Sequence, residues 1–247
     1  MPENVYDQKA FFEKYSHMLR SEKGLEGAGE WHELEKLLPD FQGKRVLDLG
    51  CGFGWHCRYA AERGAARVIG VDLSENMLRE AKRQTTSPVV TYQRASIEDY
   101  DCPEGAFDIV ISSLALHYVA DFASVCDRVW RALSPDGSWV FSVEHPIFTA
   151  YGTQDWIYDA EGQAQHWPVD RYFEEGPREA VFLGENVHKQ HHTLTTYLNG
   201  LLRHGFALQA VVEPQPASHL MDLPGMRDEL RRPMMLLVAA VKESARR

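Results

Sequence analysis

Positive charge is scarce in this chain: 26 lysines and arginines stand against 36 aspartates and glutamates over 247 residues, a formal net charge of −10. A surface that tracks phosphates needs a basic footprint, so nucleic acid is not an expected partner. Long apolar runs are missing too. No stretch approaches the ~18 residues of a membrane helix, and no membrane partner is expected. Met1-Pro2-Glu3-Asn4 has neither the basic nor the apolar region of a signal peptide, which places the expected location in the cytoplasm. Cysteine is sparse: Cys51, Cys57, Cys102 and Cys126 show no C-x-x-C spacing and no histidines at ligand spacing. They read as reduced thiols, with neither a disulfide frame nor a metal site. Internal repeats and low-complexity segments are absent. The length suits one large α/β domain with a substantial core.

What is present centres on Val46-Leu47-Asp48-Leu49-Gly50-Cys51-Gly52-Phe53-Gly54. It reads as a buried strand (Arg45 to Leu49), a glycine-rich turn and a helix (Trp55 to Arg63). Glycines at alternate positions let the backbone turn sharply and lie against a ligand. The helix that follows aims its free N–H groups and positive dipole end at that turn, a geometry suited to a nucleotide-like cofactor. The dinucleotide fingerprint needs a third glycine where Trp55 stands, which disfavours a nicotinamide-dependent oxidoreductase. Asp72 closes the next strand (Arg67 to Val71), where a carboxylate can accept both ribose hydroxyls.

Leu47-Asp48-Leu49-Gly50-Cys51-Gly52-Phe53-Gly54, followed by Gly70-Val71-Asp72-Leu73-Ser74-Glu75-Asn76-Met77, resembles the class I (Rossmann-like) S-adenosylmethionine-dependent methyltransferases, and among them the small-molecule type. The resemblance covers roughly residues 40 to 146 by motif and 193 to 242 by pattern. It implies a seven-stranded, mostly parallel sheet with an antiparallel C-terminal edge hairpin and helices on both faces. The cofactor it implies is S-adenosylmethionine, held by Tyr15, Asp48, Gly50, Cys51, Gly52, Asp72, Leu73, Met77, Ser96, Ile97, Ser113 and Leu114. Met77 would face the adenine. Ser96 stands where the family usually has an aspartate for the adenine amino group, and the Ile97 N–H would face adenine N1. Ser113-Leu114-Ala115-Leu116-His117-Tyr118 lacks the Asn/Asp-Pro-Pro-aromatic turn of enzymes that methylate base amino groups. Methylation of adenine N6 or cytosine N4 is therefore not expected.

The remaining elements follow from periodicity. Residues 5 to 20 carry apolar and aromatic side chains at helical spacing, 20 to 29 read as a loop, and 31 to 38 as a helix ending before Pro39. In the family such N-terminal helices (residues 1 to 40) fold over the cofactor, which makes Tyr15 and Arg20 candidate contacts. Residues 41 to 146 form the cofactor-binding core. Helices are expected over 74 to 84, after Asp121, and over 193 to 204; strands over 89 to 94, 107 to 112, 138 to 143, 206 to 212 and 234 to 241. Residues 147 to 192 form a long aromatic insertion after strand five, with eight acids against three bases. A segment of that length without helical periodicity reads as a substrate lid, with short strands expected over 180 to 183 and 185 to 189. Residues 193 to 247 complete the core, and the whole forms one domain.

Methyl transfer from a sulfonium requires alignment more than activation. Amines and thiols need little help; a hydroxyl acceptor needs a general base within hydrogen-bond reach. His145, at the end of strand five, and His191, before the next helix, are the catalytic candidates, with His188 and His192 as further bases. His117 reads first as a packing residue. The expected acceptor is a small molecule, its accepting atom and the oligomeric state being left open. The alternatives are an RNA or protein methyltransferase, or a cofactor-binding regulator without methyl transfer.

Overall fold

The computed structural model describes residues 4–243. Residues 1 to 3 of the expected N-terminal lid and 244 to 247 of the C-terminal part lie outside them. After a 3₁₀ turn at Val5–Asp7 the chain forms α1 (Lys9–Ser16), α2 (Leu19–Lys23), a second 3₁₀ turn and α3 (Trp31–Leu37). The core follows as β1 (Arg45–Leu49), α4 (Trp55–Glu62), β2 (Arg67–Asp72), α5 (Glu75–Gln84), β3 (Val90–Arg94), β4 (Phe107–Ser113), α6 (Phe122–Ala132) and β5 (Leu133–Glu144). The insertion holds α7 (Pro146–Thr149), β6 (Ile157–Tyr158), β7 (Ala164–His166), β8 (Gly176–Phe182) and β9 (Glu185–His191). Then come α8 (Leu194–Arg203), β10 (Phe206–Val212) and β11 (Met235–Lys242).

Seven strands form one sheet in the order β10-β11-β5-β4-β1-β2-β3. β1 to β5 run parallel, and β11 lies antiparallel between β5 and β10. Strand alternation sends Leu47, Leu49, Val110, Phe141 and Val238 to one face, under α6 and α8. It sends Val46, Val68 and Ile111 to the other, under α4, with Val140 and Leu237 beneath α3. Both faces are covered, as a parallel sheet requires. Ser74, Asp121 and Thr193 cap α5, α6 and α8 by accepting from the backbone N–H three residues on.

Three elements differ from the sequence expectation. The single helix over residues 5 to 20 is broken at His17–Met18, and α2 extends into what reads as a glycine-rich loop. The pairing of β5 begins at Leu133, before Pro135: a register shift opposite Phe107/Ile109 absorbs the turn, with Asp136 at φ 61°. The strands of the insertion are longer than expected. β8 and β9 pair from Gly176↔His191 to Phe182↔Glu185 across a two-residue turn, Leu183-Gly184, with φ of 55° and 78°. Positive φ at both residues is the hairpin turn whose twist matches the strands.

The insertion and the N-terminal segment meet. Lys14 Nζ donates to Leu183 O at 3.0 Å and to Glu185 Oε1 at 3.1 Å, and Phe11 packs edge-on to Phe182. Asp7 Oδ1 accepts from Ser74 Oγ and Asn76 N, tying the same segment to the start of α5. On the far side Arg232, in the β10–β11 loop, lies 4.1 Å from the Trp167 ring and 4.7 Å from that of Phe148.

Candidate active site

Gly50, Gly52 and Gly54 carry the chain over the C-terminal end of β1 with φ of 75°, 51° and 73°. The turn is pinned from β2: Gly50 N and Cys51 N both donate to Val71 O, and Gly52 N donates to Asp72 Oδ2 at 2.8 Å. Asp72 Oδ1 accepts from Ser74 N, so one carboxylate holds two loops in register. Burial pushes the Asp72 carboxyl up to about 6, against the pull of those backbone N–H groups.

Above this turn lies a cavity of about 580 Å³. That is within the range of about 300–1,000 Å³ common for small-molecule sites. Of the expected cofactor residues, Tyr15, Gly50, Cys51, Gly52, Asp72, Leu73, Met77, Ser96, Ile97, Ser113 and Leu114 all line it. Asp48 does not. Its side chain points beneath the turn, 1% exposed, where Oδ2 accepts from Cys57 Sγ at 3.2 Å. Burial pushes this carboxyl up to about 7.

Two separate segments cover the cavity. The N-terminal segment contributes Asn4, Tyr6, Gln8 and Tyr15; β9 contributes Asn186, Val187 and His188. Tyr6 and Tyr118 share a hydroxyl–hydroxyl hydrogen bond of 2.8 Å, and burial pushes both phenols up. Tyr6, Tyr118 and the Arg20 partner Glu30 escaped sequence reasoning, which had no local pattern to find them by. Arg20 and His188 do reach the cavity.

The structure does not bring His145 and His191 to it. His145 is fully buried; Nδ1 accepts from Ile147 N as the cap of α7, and Nε2 lies 2.9 Å from Glu213 Oε1. His191 is fully buried between Thr149 Oγ1 at 2.7 Å and Tyr172 O at 2.8 Å. Burial lowers the pKa of both rings. Neither ring lines the cavity, where the sequence reading expects bases: His145 ties the start of the insertion to Glu213 beyond β10, and His191 ties two parts of the insertion to each other. His192 Nε2 contacts Val119 O, and His117 Nδ1 accepts from Glu144 N, so neither faces the cavity. His191→Ala is expected to cost about 1–3 kcal/mol of stability, since it strands the buried Thr149 hydroxyl and the half-buried Tyr172 carbonyl. Urea denaturation would register this, with turnover per folded molecule unchanged. A fall in kcat with an intact unfolding curve would return His191 to the chemistry.

The site fits an adenosyl cofactor: a glycine cradle at the end of β1, a carboxylate at the end of β2 and an open space above Gly52, where an added Cβ would meet nothing within 4 Å. A methyltransferase domain model matches residues 47–141. The chain is 33% identical, over 97% of its own length and 97% of the other's, to an uncharacterized protein of Haemophilus influenzae. A Listeria monocytogenes structure described as an S-adenosylmethionine dependent methyltransferase superposes with a TM-score of 0.85 at 60% identity, covering 90% of this chain and 100% of that one. An S-adenosylmethionine dependent methyltransferase from Mesorhizobium loti gives 0.81 at 48% identity, covering 88% and 100%. The strand order is that of a Rossmann-like fold, and the cavity above the glycine turn has room for a nucleoside cofactor. The chain belongs to the class I S-adenosylmethionine-dependent methyltransferases, and S-adenosylmethionine is its cofactor. Among the described residues, no helix is long and apolar enough to cross a membrane.

Proposed function

We propose that this methyltransferase acts on a small-molecule acceptor held between the glycine turn and the two lids. The observation that carries the reading is the roof: Tyr6 and Tyr15 with Asn186 and His188 cover the cavity from two separate segments, and Tyr118, from the turn after β4, bonds to Tyr6. A roof of this kind favours an acceptor that enters whole over one presented by a large polymer. The net charge of −10 agrees, offering no general attraction for a polyanion.

In this reading the cofactor, when bound, supplies an activated methyl on a sulfonium. The chain's own residues position and exclude water. Gly50, Cys51 and Gly52 would lie along the methionine part with Ser113 and Leu114; Asp72 would accept hydrogen bonds from the ribose hydroxyls; Leu73 and Met77 would flank the adenine, and Ser96 and Ile97 would meet its edge. Tyr6 and Tyr118 keep their protons at neutral pH; one hydroxyl donates to the other, which leaves a single O–H to donate to the acceptor. His56 also lines the cavity, but burial pushes it down to about 3, so it stays neutral. His188, on the lid, replaces His145 and His191 as the general base if the acceptor is a hydroxyl.

Calorimetric titration with S-adenosylmethionine, S-adenosylhomocysteine and NADH tests the cofactor part. The expected result is micromolar binding of the first two and none of the third. Transfer of labelled methyl to panels of amines, phenols, thiols and carboxylates, beside RNA and protein extracts, tests the acceptor part. Label appearing in polymer alone would overturn the small-molecule reading. Binding without transfer to any panel would favour a regulator.

A further inference from the structure

We infer that the methyl acceptor presents a carboxylate, received by the one free O–H of the Tyr6–Tyr118 pair, and that the product is a methyl ester, a step that rests on the small-molecule reading of the cavity. Both tyrosines line the cavity, and their hydroxyls lie 2.8 Å apart. Tyr118 ends the 3₁₀ turn Leu116–Tyr118 that follows Ser113 and Leu114, and all three residues line the cavity. Asn4 lines it beside Tyr6: its Oδ1 accepts from Tyr6 N at 3.2 Å, which leaves the amide N–H groups over as neutral donors.

Groups able to take a proton from an acceptor are scarce here. Four histidines of the surrounding elements are committed elsewhere: His117 to Glu144 N, His145 to Ile147 N and Glu213, His191 to Thr149 and Tyr172, His192 to Val119 O. None of the four is among the described residues that line the cavity. Burial pushes up the phenols of Tyr6, Tyr15 and Tyr118 and the Cys51 thiol, so all four hold their protons at neutral pH. Burial works against the charge of Arg20, but Glu30 outweighs it and the guanidinium stays protonated. His56, pushed down by burial to about 3, is a feeble base. Asp72 is engaged by Gly52 N and Ser74 N, and Glu98 by Ala120 N. His188 stands at the rim, its side chain 75% exposed.

The acceptor atom therefore has to arrive with its lone pair free. Phenols and alkylamines, with ordinary pKa values of about 10, and thiols, at about 8.5, arrive mostly protonated at pH 7. A carboxyl group, at about 4, has shed its proton before it enters. In the transfer one carboxylate oxygen forms the bond to the methyl carbon, and the bond from that carbon to sulfur breaks with its electron pair passing to the sulfur. An anion and a sulfonium become a neutral ester and a neutral thioether, and no proton is released or taken up. A buried site favours that loss of charge. The second carboxylate oxygen accepts from the phenol pair in a charge-assisted hydrogen bond, which fixes the first oxygen in line.

The test uses S-adenosylmethionine labelled in the methyl group, with hexanoate, benzoate, succinate, phenol, butylamine, butanethiol and a dialysable extract of bacterial cells as acceptors. The label is expected in carboxylic acids alone, to come off as volatile methanol in mild alkali, and to appear without proton release in weak buffer. Between pH of about 6 and 9, kcat/KM for the acceptor should stay within about 2-fold, since a carboxylate of ordinary pKa is already ionised there. The double variant Tyr6→Phe/Tyr118→Phe should lower kcat/KM about 10–100-fold and hold S-adenosylhomocysteine affinity within about 2-fold. Each single variant, which leaves one O–H, should lose less. Alkali-stable label, or a rate that rises with pH through the ordinary histidine range and loses that rise in His188→Gln, would overturn the carboxylate reading while the small-molecule one stands. Label in polymer alone, or in nothing, would take the small-molecule reading down with it. Equal loss of kcat/KM and of S-adenosylhomocysteine affinity in the double variant would show that the two phenols serve only the fold.

Discussion

Lys189→Met is expected to destabilise the fold by about 3–5 kcal/mol, because it leaves a buried carboxylate without its counter-charge. Lys189 lies on β9 with its side chain 3% exposed, and Glu144, at the end of β5, is 13% exposed. The ammonium donates to Glu144 Oε1 and to Gln154 Oε1, and Gln154 Nε2 donates back to Glu144 Oε2. Burial pushes the Glu144 carboxyl up, but His117 and Lys189 outweigh it and hold the group below its ordinary value. Its folded-state pKa is thus depressed. The pair's contribution is present above the ordinary carboxylate range and is lost as pH falls through the folded value. In Lys189→Met the His117 and Gln154 contributions remain but that of Lys189 is gone, so the Glu144 pKa rises relative to the unaltered chain: the deficit is greatest near neutrality and shrinks as falling pH protonates Glu144. Adding Glu144→Gln should recover most of the loss. Urea denaturation at pH 7 and at pH 5 reads all three chains. A loss under about 1 kcal/mol, or no recovery in the double variant, would show the pair to be solvated and weak.

Gly50→Ala and Gly52→Ala should fail in different ways, though they are two residues apart. An added Cβ at Gly50 would lie 2.3 Å from Ala115 Cβ, and φ there is 75°. The left-handed backbone costs about 1–2 kcal/mol and the overlap about 1–3 kcal/mol more, so the chain should lose about 3 kcal/mol. Gly52 also has positive φ, but nothing lies within 4 Å of its added Cβ. Gly52→Ala should therefore unfold only about 1–2 kcal/mol more easily. It should nevertheless lose cofactor affinity by at least about 10-fold, since the methyl intrudes where backbone meets ligand. Thermal melts paired with S-adenosylhomocysteine titration separate the two. Equal melting and equal affinity loss in both variants would mean that the turn yields as a unit.

These contrasts mark what could be read from the chain. β1 spans Arg45–Leu49 as expected, because a central parallel strand ending in glycines changes character abruptly at both ends. Ser74, Asp121 and Thr193 announce their helices by chemistry that acts over three residues. The insertion was less legible because its polarity runs inside out. Arg178, Lys189 and His191 sit on the buried face of the β8–β9 hairpin, while Val181 is 61% exposed. Charged side chains in an acidic insertion read as solvated, and only their distant partners show otherwise. Arg178 is held by the carbonyls of Ala150, Arg171 and Glu174, and Lys189 by Glu144. The histidines failed for a related reason. His145 follows directly on β5 at the cleft edge, but its ring is held by Ile147 N and by Glu213, which is remote in sequence. Position at a strand end does not fix which way a ring turns.

The order of strands has a consequence for synthesis. β5 must wait for β11, its neighbour on one side, while roughly 90 residues between Glu144 and Met235 leave the ribosome. At about 5–20 residues per second that interval lasts roughly 5–18 seconds. Throughout it Val140, Phe141 and Val143, all at most 1% exposed in the finished fold, belong to a strand with one unpaired edge. β10 emerges first, yet it cannot fill the gap, since it pairs only with β11. The nascent chain therefore carries an open apolar edge for seconds, the kind of surface that chaperones bind and that neighbouring nascent chains on a polysome can pair with.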